Sequence, residues 1–113
     1  MAKYITPHNP SIDIIFHALS DPTRRDILER LTQKKLTMSE VARSYDFSFP
    51  TITKHVAVLQ KAKLVKKEKR GRKNMLSLKY ENLKAASDYV AFYKKYWSDQ
   101  LANLETFLEK RRW

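Results

Sequence analysis

The chain has 113 residues, 42% hydrophobic and 31% charged, and its 23 Lys and Arg against 12 Asp and Glu give a formal net charge of +11. That length suits one domain near the lower end of what builds its own core. The absence of cysteine excludes disulfides, thiolate metal ligands and a thiol nucleophile, and a single glycine, Gly71, excludes a Gly-rich phosphate-cradling loop. Aromatics at 12% are too many for a disordered polycation, so the composition points to a small folded domain with a polyanionic partner, nucleic acid or a membrane surface.

Residues 1–9 are polar and contain Pro7; they read as a flexible arm without the apolar run of a signal peptide. No stretch approaches the roughly 18 uninterrupted apolar residues of a membrane span, so no membrane partner is expected and the default location is the cytoplasm. The domain proper is expected over 10–113. Asn9-Pro10 predicts a helix start, a cap followed by Pro at the first helical position, with Ile12, Ile15, Phe16 and Leu19 at helical spacing behind it. Asp21-Pro22 repeats the signal and opens a second helix with Ile27, Leu28 and Leu31 inward, ending near Gln33. Thr37-Met38-Ser39-Glu40 is a capping box that starts a short helix carrying Val41 and Ala42 inward and stopping around Asp46.

Ser48-Phe49-Pro50 is the fourth start. Ser48 caps, and Ile52, Val56 and Leu59 form the buried stripe of a helix running to about Ala62, which leaves Thr51, Thr53, Lys54 and Val58 outward or at the edges. Two short helices joined by a tight turn, the second exposing polar and basic residues at its N-terminal end, make a helix-turn-helix. Leu64–Lys69 and Asn74–Leu78 then have strand character and meet across Arg70-Gly71-Arg72, where a hairpin needs a residue tolerant of positive φ. A basic hairpin directly after such a helix is a wing. The last element is a helix from about Leu83 to Arg111, roughly 40 Å long. Leu83, Ala86, Val90, Tyr93, Trp97, Leu101, Leu104 and Leu108 form its stripe, widened by Tyr89, Phe92, Tyr96 and Phe107. A single protomer offers little to cover that face, so it divides between packing on the first helix and a homodimer interface. The interface set is Ile12, Phe16, Tyr89, Tyr93, Trp97, Leu101, Leu104 and Leu108.

The charge is not spread evenly. Residues 1–53 carry net +1 and residues 74–113 net +2, whereas Lys54–Lys73 holds nine basic side chains against Glu68 alone, net +8. Leu64, Val65, Met75, Leu76 and Leu78 within or beside that run argue against a solvated tail.

The expected fold is therefore mainly α with a small β-hairpin, a winged helix-turn-helix in the order α-α-α-α-β-β-α with a long C-terminal dimerisation helix. That order resembles the ArsR-type winged helix-turn-helix repressors, through Phe16 to Leu31 (FHALSDPTRRDILERL), Pro50 to Val65 (PTITKHVAVLQKAKLV) and the wing up to Leu78. The terminal DYVAFYKKYWSDQLANLETFLE is similar to the last helix of the family's metal-independent branches. The resemblance implies a homodimeric, sequence-specific regulator, usually a repressor, whose partner is double-stranded DNA carrying an inverted-repeat operator. Carried onto this chain, the recognition helix would offer Ser48, Phe49, Pro50, Thr51, Thr53, Lys54 and His55 to the major groove. Lys69, Arg70, Gly71, Arg72 and Lys73 of the wing would lie along the backbone or in a minor groove.

The chain departs from the family in three places. The metal-sensing cysteines of founding members are absent from Met38–Arg43, the terminal helix has no histidine, and His8, His17 and His55 form no ligand set, so neither metal nor cofactor is expected and the effector is unassigned. His55 has two readings, a half-buried structural histidine bonded to a neighbour or a DNA contact, with the first preferred. Lys63 stands where the family often has a left-handed Gly; there it would cost about 1 kcal/mol, unless the helix ends differently. Of Phe47 and Phe49, one is expected in the core and the other partly exposed, with a thymine methyl as an option for Phe49. The aromatic stripe of the last helix could line an effector pocket, though packing and dimerisation explain it more simply.

The rival function is a non-specific architectural or RNA-binding winged helix, which the charge fits equally well. A protein-interaction adaptor would leave the +8 segment unexplained. Catalysis has no foothold, since no metal-ligand set, nucleophile-base pair or glycine loop is present.

Overall fold

A computed structural model describes residues 10–110. Its elements are α1 (Pro10–Leu19), α2 (Pro22–Gln33), β1 (Leu36–Thr37), α3 (Met38–Arg43), α4 (Phe49–Lys61), β2 (Val65–Arg70), β3 (Lys73–Leu78) and α5 (Tyr80–Lys110). The arm 1–9 and the cap expected at Asn9 lie outside the described residues. The other three caps form as their chemistry dictates. Asp21 is extended and accepts the Arg24 N–H at 3.0 Å, with Pro22 opening α2. At α3 the Glu40 N–H donates to Thr37 Oγ1 at 3.1 Å while the Thr37 N–H donates to Glu40 Oε1 at 2.9 Å, which satisfies two orphan donors reciprocally. Ser48 accepts the Thr51 N–H at 3.3 Å and starts α4.

The hairpin is part of a three-stranded antiparallel sheet in the order β1-β3-β2, so the chain runs α-α-β-α-α-β-β-α, with one strand more than expected. Leu36 pairs with Leu76 and Thr37 with Met75, which ties the segment before α3 to the root of the wing. The wing strands run one residue beyond the expected bounds towards the tip, leaving Gly71 and Arg72 as the loop. α3 stops at Arg43, short of Asp46.

The core is made where α1, α2, α3 and α4 meet the sheet. Ile15, Ile27, Ile52, Leu59, Leu64, Leu76, Val41 and Val56 are its most buried large side chains. Each such burial is worth about 1.5–3 kcal/mol, gross of the entropy of ordering. Ile12, expected at the dimer interface, lies in this core at 9% exposure, so its apolar surface is already spent within the protomer.

Lys63 has φ +57 and follows the α4 C-cap Ala62. Its N–H donates to the Gln60 carbonyl at 2.9 Å and that of Leu64 to the Leu59 carbonyl at 3.0 Å. This is a Schellman motif with the buried pair Leu59 and Leu64 as its apolar clasp. A lysine thus holds the left-handed position.

α5 begins at Tyr80, three residues before the expected Leu83. The Asn82 amide donates to the Ala62 carbonyl at 2.9 Å and fixes the angle at which α5 leaves the sheet. Leu83 and Ala86 pack on the core, whereas from Ser87 to Lys110 every residue is exposed. The molecule measures 72 × 32 × 23 Å with a radius of gyration of 19.7 Å. A compact chain of this length has roughly 13 Å. The excess is the projecting half of α5.

Candidate nucleic-acid interface

The buried stripe Ile52, Val56 and Leu59 fixes which face of α4 looks outward. Pro50, Thr53, Lys54, Ala57 and Lys61 are exposed at spacings of three and four residues and form one stripe, with Ser48 and Phe49 at its N-terminal end and Thr51 half-buried beside it. Ala57 belongs to that stripe and was missed in the sequence because it carries no polar group; its position four residues after Thr53 was the available signal. Ser48 Oγ lies 2.9 Å from Thr51 Oγ1, and the Thr53 hydroxyl donates to the Phe49 carbonyl at 2.9 Å. The Thr53 hydroxyl proton is thereby committed to the helix, leaving its lone pairs and methyl group for a ligand.

His55 is half-buried and does not join the outward stripe. Its Nδ1 lies 3.2 Å from Nη1 of Arg24 and 3.8 Å from Oδ2 of Asp21. The structural reading of His55 matches this placement. Phe47 and Phe49 are both exposed, 47% and 53%, contrary to the expectation that one is core. Phe47 is held instead on the surface between Tyr45 and His55, with ring centroids at 6.4 and 6.3 Å. Tyr45 donates its hydroxyl to Asp26, and its ring faces the Arg30 guanidinium at 5.8 Å. Burial, then the Asp26 carboxylate, push the Tyr45 phenol above its usual range.

In the wing, Arg70 pairs with Lys73 across the two-residue loop, and Gly71 has φ +63. Positive φ at the first loop residue alone is the pattern of a type II′ hairpin turn. No atom lies within 4 Å of where a Cβ would sit, so glycine is required by conformation and not by space. Glu68 is paired with Lys66 at 3.3 Å and Arg70 at 4.0 Å, and these cations hold its carboxyl below the usual range. Lys69, Arg72 and Lys73 are exposed, and among the described residues no ion pair involves them. Phe49 of α4 and Arg72 and Lys73 of the wing line one cleft of about 600 Å³, together with Ser39, Glu40 and Arg43 of α3. Ser39 and Arg43 were not singled out in the sequence, where an exposed Ser and Arg on a short helix carry no distinguishing pattern.

The expected interface residues Phe16, Tyr89, Tyr93 and Trp97 come together with Val90 and Lys94 around an almost wholly apolar open groove of about 350 Å³. The Phe16 and Tyr89 rings are 5.6 Å apart and the Tyr89 and Tyr93 rings 4.9 Å. Leu101, Leu104 and Leu108 continue the exposed face beyond the groove. Among the described residues no three His, Cys, Asp or Glu side chains cluster as a metal site would require, and no helix is long and apolar enough to cross a membrane.

Comparison with known proteins agrees with this geometry. A helix-turn-helix domain family model matches residues 19–68. The chain is 34% identical over 79 residues to the arsenical resistance operon repressor of Staphylococcus xylosus, covering 70% of this chain and 72% of that protein. It is 35% identical over 57 residues to the transcriptional repressor SdpR of Bacillus subtilis, 50% of this chain and 63% of the repressor's length. Two of the curated relatives, matched over 63% and 56% of their lengths, extend well beyond what aligns. The crystal structure of an ArsR family transcriptional regulator superposes with a TM-score of 0.76 at 30% identity, over 83% of this chain and 97% of that one. The chain belongs to the ArsR family of winged helix-turn-helix transcriptional regulators.

Proposed function

We propose that the protein is a homodimeric, sequence-specific DNA-binding repressor that reads an inverted-repeat operator in the cytoplasm. The observation that carries the reading is the cleft between α3 and the wing, in which Phe49 at the N-terminal end of α4 lies with Arg72 and Lys73, cations without an ion-pair partner among the described residues. α4 enters the major groove with Ser48, Phe49, Pro50, Thr51, Thr53 and Lys54 nearest the base edges, while Lys69, Arg70, Arg72 and Lys73 follow the phosphates or the minor groove. Small Thr53 and Ala57 at the middle of the stripe let the helix backbone approach the base pairs. Two copies joined along α5 present two such helices, which suits a two-fold operator. Repression is carried over from the names of the staphylococcal and Bacillus relatives.

The test is selection from a random duplex library followed by competition against random-sequence DNA. The reading predicts an enriched inverted repeat bound at least about a thousandfold more tightly than random sequence at physiological salt. Lys54→Ala is expected to relax base preference within the half-site. Arg72→Ala is expected to weaken all duplexes alike and to lower the salt slope by about 1. A specificity ratio near one would instead identify an architectural coating protein, and insensitivity to both substitutions would move the DNA site elsewhere.

A further inference from the structure

Arg24 is a charged side chain on an otherwise apolar helix face, 9% exposed, and the DNA-binding surface just described does not use it. Its guanidinium makes three bonds to two different elements. Nε donates to the Ala18 carbonyl at 2.8 Å and Nη2 to the His17 carbonyl at 3.0 Å, which caps the C-terminus of α1 with a cation where the helix dipole favours one. Nη1 reaches Nδ1 of His55 on α4 at 3.2 Å. Arginine can only donate, so in this contact Nδ1 is the acceptor. Asp21, which caps α2, lies 3.8 Å from the same Nδ1, too far for a hydrogen bond. On its other side His55 meets the Phe47 ring in the helix-turn-helix turn.

The α1 end of this linkage reaches the projecting helix, because Phe16, one residue before His17, packs on Tyr89 of α5. A continuous set of contacts therefore runs from α5 through Phe16, the terminal carbonyls of α1 and Arg24 to the recognition helix. We propose that Arg24 is a positioning residue for operator recognition: through His55 it sets how α4 sits relative to α1, and hence to the dimer helix α5. It touches no DNA. The inference rests on the reading of α4 as the recognition helix. Rigid placement matters because one protomer's helix must meet its half-site while the other meets the second, and a small rotation of α4 misplaces the base-contacting side chains without removing any of them.

The experiment uses the duplex that the unaltered protein enriches from a random library, and a random duplex as reference. Arg24→Gln and His55→Leu each remove the linkage, and each is expected to lower the operator-to-random ratio about tenfold, while the double variant also loses about tenfold and not a hundredfold. His55→Asn restores an acceptor near the Nδ1 position and is expected to stay within about twofold of the unaltered protein, whereas His55→Gln, which places its amide near Nε2, does not rescue. Affinity for random duplex and the salt slope are expected to be unchanged in the Arg24→Gln protein, which a loss of folded protein or of a phosphate contact would alter. His55→Leu, which leaves the α1 cap in place, keeps the test open where Arg24→Gln fails to fold. Rescue by Gln and not by Asn would make His55 a direct DNA contact and overturn the proposal, as would additive losses in the double variant or an unaltered ratio in both single variants. Failure of the unaltered protein to enrich any duplex would instead bring down the regulator reading, and this inference with it.

Discussion

Replacing Lys63 by glycine is expected to stabilise the protein, and the size of the gain follows from one dihedral angle. Lys63 sits at φ +57 because two hydrogen bonds, Lys63 N–H to Gln60 and Leu64 N–H to Leu59, close the Schellman turn and bring Leu64 down onto Leu59 in the core. The turn must be made there, since Leu64 and Val65 are buried and the chain has to reverse into β2. A side chain with a Cβ in this region costs on the order of 1 kcal/mol, part of which glycine gives back through its freer unfolded chain. Lys63→Gly is therefore expected to gain about 0.5–1 kcal/mol, or about 2–4 °C in Tm for a chain of this size. The assay is urea and thermal unfolding by circular dichroism at fixed protein concentration, because an oligomer's stability depends on concentration. Lys63→Ala is the control: it removes the same charge from the basic segment and leaves the strain, so it is expected within about 0.5 kcal/mol of the natural protein. If alanine gained as much as glycine, relief of like-charge repulsion and not backbone strain would be the cause. If glycine gained nothing, the left-handed turn would be wrong.

Two further outcomes follow from the same structure. Trp97→Glu with Leu101→Glu places carboxylates on the exposed α5 face, 58% and 62% accessible in the protomer, and is expected to give a folded monomer by analytical ultracentrifugation; a dimer of unchanged affinity would move the interface elsewhere. Acid is expected to loosen the helix starts. Burial raises the Asp21 pKa, but the Arg24 backbone N–H, the Arg24 charge and the Thr23 N–H more than reverse it. The Thr37 backbone N–H and hydroxyl hold the Glu40 carboxyl low. Both groups bind protons more weakly when folded, so their stabilisation is complete above the ordinary carboxylate range, about pH 4, and is lost as pH falls through the depressed folded values. Asp21→Asn with Glu40→Gln is expected to flatten the acid limb of a stability–pH curve; an unchanged limb would refute those caps as its source.

Much of the architecture was legible because local chemistry specified it. Asp21-Pro22, the Thr37 and Glu40 box and Ser48-Phe49-Pro50 each set a helix start by satisfying its own backbone donors, so no distant partner was needed. The lone glycine marked the wing tip for a similarly local reason, its positive φ. Features that depend on distant contacts were illegible. β1 is two residues long and exists only because Leu36 and Thr37 pair with Leu76 and Met75 of the wing. α5 starts at Tyr80 with no cap signal, held by Asn82 reaching back to Ala62. Arg24 reads as an ordinary surface cation until the carbonyls of α1 and the ring of His55 surround it. Phe47 finds its partners, Tyr45 and His55, on the surface, a placement that hydrophobicity alone does not give.

The concentration of charge between Lys54 and Lys73 gains its meaning from this geometry: it runs along the exposed part of α4, through its exit and over the wing. The central claim is that two such surfaces, joined through α5, read a duplex in register. Hydroxyl-radical footprinting of the full-length protein on the promoter of its own operon tests it most directly. The account predicts two symmetric protected half-sites with centres about 10 base pairs or a multiple apart, lost together in the Trp97→Glu, Leu101→Glu protein. Uniform protection along the whole fragment, or two protected half-sites that survive in a proven monomer, would contradict it.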